Sequence, residues 1–101
     1  MSAKPKRART LRRETARAAS NLARDREKLF LLEPGGRPES PIEVASASVV
    51  EARAAAVPCP RCGGEQVVEE HAAVARLREA RMMCRQCGTR RSMWFRLPVV
   101  N

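Results

Sequence analysis

The chain has 101 residues, a formal charge of +9 and only three aromatic side chains, Phe30, Trp94 and Phe95. Its 44% hydrophobic fraction is inflated by alanine, which buries little area. A large conventional core is therefore excluded, and folding calls for a metal or a partner.

The charge is unevenly placed. Residues 1–28 carry ten Lys/Arg against three acids, residues 29–58 two against four, and residues 59–101 eight against four. Positive ends with a slightly acidic middle point to a polyanionic partner. Seventeen of the twenty basic residues are Arg, as a GC-rich coding bias would produce. Such a bias does not explain their crowding in the first 28 positions. The N-terminus has no apolar export segment, and the longest bulky apolar run, Leu29 to Leu32, is too short to span a bilayer. A reducing cytoplasm is the expected location.

In chain order, Met1–Arg9 is expected to be a disordered basic arm, because Pro5 and its like charges oppose order. Residues 10–32 predict a basic amphipathic helix: Ala, Arg, Leu and Glu dominate without Gly or Pro, and Thr10 is placed to cap it. Leu11, Thr15, Ala18, Leu22 and Leu29 share one face, which Asp25 interrupts. The last turn, Leu29 to Leu32, is crowded with apolar side chains and is expected to dock on the rest of the chain or on a second one.

Three prolines and two glycines between Glu33 and Pro41 end the helix and open a linker over residues 33–56. Within it Ile42–Val50 alternates weakly and predicts a short strand, and Glu51–Val57 a single helical turn. A compact domain is expected over residues 57–101. Residues 65–83 have helical composition. An unbroken helix there would run about 28 Å and carry Cys84 away from Cys62. Strands over Gln66–Ala73 and Leu77–Cys84, with a turn around Val74–Arg76, return the chain instead. A helix that stops early is the alternative. Arg90–Leu97 is the best strand, with Arg91, Met93, Phe95 and Leu97 on one face and Arg90, Ser92, Trp94 and Arg96 on the other.

All four cysteines fall in two matched turns, Cys59-Pro60-Arg61-Cys62-Gly63 and Cys84-Arg85-Gln86-Cys87-Gly88, with 21 residues between the pairs. Two C-x-x-C turns supply the four thiolates of a tetrahedral site, here one residue beyond the usual spacing for zinc. Glycine after the second cysteine permits the positive φ that lets backbone amides approach the sulfurs. Arg61, Arg85, Arg90 and Arg91 are placed to offset the negative charge of such a centre. Four protein ligands close the site, so its metal is structural. The alternatives are iron in a rubredoxin-like electron carrier, which lacks its usual aromatic surround here, a thioredoxin-type redox pair, and two disulfides. His71 has no catalytic partner beside it. The Glu69-Glu70 pair is expected mid-strand rather than at a hairpin tip.

The segments CPRCGG, CRQCG and RRSMWFRL resemble a four-cysteine zinc ribbon, as found in small uncharacterised bacterial ribbon proteins and in transcription-associated ribbons. The likeness covers roughly residues 57–98. It implies a small metal-stabilised α+β protein, with one structural Zn²⁺ on Cys59, Cys62, Cys84 and Cys87, an antiparallel β-sheet below the metal, and the basic N-terminal helix ahead of it. The expected function is non-enzymatic: binding of nucleic acid, or of a transcription- or translation-associated complex. Arg12, Arg13 and Arg17 of the helix and Arg90, Arg91, Trp94 and Arg96 of the last strand are the candidate contacts, offering phosphate neutralisation and base stacking. The rival reading is an adaptor whose helix meets a partner helix or a second copy through Leu22, Leu29, Phe30 and Leu32.

Overall fold

The computed structural model describes residues 7–99. The arm expected at the N-terminus lies outside the described residues up to Lys6, and Arg7 already caps the first helix. That helix, α1, runs Ala8–Leu32. Thr10 lies inside its first turn, because nothing between Pro5 and Thr10 stops a helix, and the extended Arg7 is the cap. The helix stops where Glu33 turns extended. The Glu33 amide closes the last turn onto the carbonyls of Leu29 (3.1 Å) and Phe30 (3.2 Å). Every residue from Arg7 to Leu22 is exposed, so α1 projects from the body and contributes to a long dimension of 76 Å.

Residues 33–56 do more than link. Gly35, at φ +89°, accepts from the Trp94 amide (2.8 Å) and donates to the Ser40 carbonyl (2.6 Å). A side chain at Gly36 would overlap the Phe30 carbonyl oxygen, with its Cβ only 2.2 Å away. This folded turn delivers β1, Ile42–Glu43. The expected strand over Ile42–Val50 is cut to these two residues: Val44 turns into the core, a 3₁₀ turn covers Ala47–Val49, and helix α2 follows at Val50–Ala55.

The remaining chain forms a hairpin of β2 (Gln66–Val74) and β3 (Leu77–Cys84), followed by β4 (Arg90–Arg96). The strands follow the expected positions to within a residue. Sheet order is β1-β4-β3-β2, antiparallel except that β1 runs parallel to β4, with Ile42 opposite Phe95. The result is a small α+β fold with a four-stranded mixed sheet, rather than a wholly antiparallel one. Its core is Phe30, Val44, Val50, Ala54, Ala80, Met82, Met93 and Phe95. Half of these come from upstream of the cysteines: α2 and Val44 cover the face that Ala80, Met82, Met93 and Phe95 present. Among the described residues no helix is long and apolar enough to cross a membrane.

Candidate metal centre

The two cysteine turns are built alike. In the first, the Gly63 amide (φ +77°) donates back to the Cys59 carbonyl (2.7 Å). In the second, the Gly88 amide (φ +75°) donates back to the Cys84 carbonyl (3.0 Å). Pairing of Gln66 with Cys84 at the base of the hairpin brings the turns together, and the Arg85 amide ties the second to the Glu65 carbonyl (2.9 Å). Gly64 lies so close beneath the second turn that a Cβ there would stand 3.1 Å from Cys84 Sγ and 2.7 Å from Gln86 Cβ.

The four sulfurs all lie within 4.8 Å of one another, a group that can hold a metal ion. Cys59 and Cys87 are 3.7 Å apart, and Cys62 and Cys84 3.4 Å apart. Each sulfur also has a polar neighbour on its outer side. The Gly64 amide points at Cys62 (3.4 Å), and the Gln86 and Cys87 amides at Cys84 (3.3 and 3.4 Å). The Thr89 hydroxyl lies 3.2 Å from Cys87, and the Arg91 guanidinium donates to Cys59 at 3.3 Å. Such partners orient the sulfurs and stabilise thiolate charge.

The thiols consequently differ. The Thr89 hydroxyl and amide lower Cys87 to about 6. The Cys87 and Gln86 amides lower Cys84. At Cys62 the Gly64 amide pulls downward, but the crowding of Cys84, burial and the other two thiols push it up to about 12. Thiolates gathered this closely repel one another, and a cation bound among them would offset that repulsion.

Arg91 is the residue whose role differs most from expectation. It was a candidate contact, yet its side chain is only 6% exposed. It reaches three acceptors from three elements: Cys59 Sγ, Gln66 Oε1 and Glu27 Oε1 of α1. Its guanidinium carbon stands 5.8 Å from the centre of the Phe30 ring. Burial opposes its charge, but Glu27 and Cys59 outweigh that, and its pKa is raised. Gln66, 1% exposed, is fixed in turn by donating to the Val57 carbonyl (2.9 Å). Arg61 and Arg85 are exposed, and Arg85 faces Glu65 at 3.8 Å.

The other candidates fall into two groups. On β4, Arg90 is exposed but binds Glu69 (2.9 Å), and Arg96 binds Glu43. Trp94 is half-buried on the sheet face opposite Met93 and Phe95. On α1, Arg12, Arg13 and Arg17 are all exposed. Phe30, expected as a partner contact, is instead buried in this chain's own core, while Leu22, Leu29 and Leu32 remain 51%, 59% and 65% exposed. Glu69 sits at the irregularity in β2 between Val68 and Glu70, and Glu69 and Glu70 are ion-paired with Arg90 and Arg81. His71 Nδ1 faces Glu51 of α2 at 3.5 Å.

No protein-family model matches the chain, and neither the curated proteins nor the solved structures yield a match.

Proposed function

We propose that this chain is a non-enzymatic zinc-ribbon module that binds nucleic acid, or a complex assembled on it, through the basic face of α1. The metal reading rests on the donor set. Four sulfurs around one Zn²⁺ at about 2.3 Å would stand about 3.8 Å apart, close to the spacing of the Cys59–Cys87 pair. When bound, zinc supplies a tetrahedral crosslink between the two turns. Four protein ligands leave it no open position for a reacting group. Iron on the same sulfurs would make an electron carrier, and metal analysis separates the two.

The observation that carries the binding reading is the arrangement of Arg13, Arg17, Arg24 and Lys28. At intervals of four, seven and four residues they line one face of α1 over about 22 Å. All four are exposed. Among the described residues none of the four is ion-paired, whereas Arg81, Arg90, Arg91 and Arg96 are matched to acids. Unmatched cations at this spacing suit a phosphate backbone. Of the two expected contact surfaces, α1 and β4, this reading keeps α1, with Trp94 left on β4 as a stacking candidate.

The test is affinity for single- and double-stranded nucleic acid across a salt series. Replacing the four residues by Gln should lower the salt slope by roughly three to four. Equal slopes for variant and parent, or binding indifferent to salt, contradict the proposal. A second reading, a protein adaptor, is favoured by the exposed leucines of the same helix.

A further inference from the structure

We infer that α1 pairs antiparallel with α1 of a second copy of this chain, along a leucine seam distinct from its basic face. The inference is independent of nucleic-acid binding. Ala8, Leu11, Thr15, Ala18, Leu22, Asp25, Leu29 and Leu32 recur at alternating intervals of three and four, the spacing of a coiled-coil seam. All eight are exposed. The side of α1 that packs on its own body is marked by Ala23, Glu27 and Phe30, which are half-buried, half-buried and buried. That side lies roughly 130° around the helix from the seam. The body therefore leaves the seam open along its whole length.

The pattern selects both occupant and direction. In a parallel pair Asp25 would face the second copy's Asp25 in the middle of the seam, at a cost in desolvation and repulsion. In the antiparallel register centred near residue 20, Leu11 meets the second copy's Leu29. Thr15 meets its Asp25, Ala18 its Leu22, and Ala8 its Leu32. Every leucine finds an apolar neighbour. The one acid in the seam faces Thr15, a neutral side chain whose hydroxyl donates to its own Leu11 carbonyl (2.9 Å), instead of a second acid. The two-fold axis places both bodies on one broad side of the pair and both rows of Arg13, Arg17, Arg24 and Lys28 on the other. Arg12 and Arg26 of opposite copies meet as like charges on one flank of the seam and Glu14 and Lys28 as opposite charges on the other, and the +9 charge of each chain makes added salt favour pairing.

The test is sedimentation of the full chain over a concentration series at high ionic strength, where like charges are screened and phosphate binding is suppressed. The parent should dimerise. Leu22→Glu should weaken the dimer by about 100-fold, since each pair loses two buried leucines. Leu31→Glu, an equally large change at an exposed position off the seam, should leave it intact. Unchanged metal content in both variants reports that the body remains folded. A photo-crosslinking residue at position 11 should attach near residue 29 of the second copy. A parent that is monomeric throughout, equal effects of Leu22→Glu and Leu31→Glu, or a crosslink from position 11 to position 11 would each overturn the inference.

Discussion

Arg91 joins Cys59 to Glu27: one guanidinium donates to a sulfur of the metal centre at 3.3 Å and to a carboxylate of the projecting helix. Phe30, the one buried residue of α1, lies against the same group. The seat of the N-terminal helix and the charge balance of the cysteine cluster are therefore one structural problem, solved by one side chain.

Replacing Arg91 by Ala removes the donor to Cys59 and leaves Glu27 without its cation. Metal affinity should fall about 10–100-fold, the usual cost of losing an outer partner of a ligand. Hydrogen-exchange protection around Glu27–Phe30 should fall with it. Arg91→Lys should restore little, because a point ammonium cannot span three acceptors as a planar fork does. Metal competition titration and hydrogen exchange on the same variant would check both effects. Unchanged values in both would refute the coupling.

The β2–β3 hairpin turns at Ala75, whose φ of +53° is left-handed. A Cβ is disfavoured there by about 1 kcal/mol. Ala75→Gly should therefore stabilise the protein by about 0.5–1 kcal/mol in denaturant unfolding. Gly36→Ala should do the reverse and more strongly, since its Cβ has no space beneath Phe30.

Acid should cost stability through Glu79. The Ser92 hydroxyl (2.6 Å) and Arg81 (3.1 Å) hold its carboxyl below the ordinary value of 4.5. A depressed native value means that the unfolded chain binds the proton first. The contribution of Glu79 is thus complete above about 4.5 and lost as pH falls through the native value. The stability gap between parent and Glu79→Gln should accordingly be widest near neutral pH and close in acid. A gap that stays constant would contradict the assignment.

Much of this is legible in the sequence, and the remainder is not, for identifiable physical reasons. The need for Cys62 and Cys84 to return to one point overrode the helical composition of residues 65–83 and placed both strands correctly. Alternation likewise placed Met93 and Phe95 inside. It also set Arg91 on that same apolar side, and an arginine in phase with core positions was the available sign of its buried role. Its partner Glu27 was out of reach, because nothing local ties residue 27 to residue 91. The linker was misjudged through Pro and Gly. These stop regular structure, yet Gly35 and Gly36 here permit close packing that sends Val44, Val50 and Ala54 into the core. The exposed leucines of α1 are visible as a stripe, but only the burial of Phe30, with Ala23 and Glu27 half-buried beside it, shows which side of the helix the body occupies.

The central claim is that a metal held by Cys59, Cys62, Cys84 and Cys87 closes the fold. Metal analysis of the purified protein, followed by chelation while hydrogen exchange is monitored across residues 57–99, tests it most directly. The account predicts one zinc per chain and loss of protection in β2, β3 and β4 when it is withdrawn. A chain that keeps that protection after chelation, or whose cysteines are paired as disulfides, would contradict it.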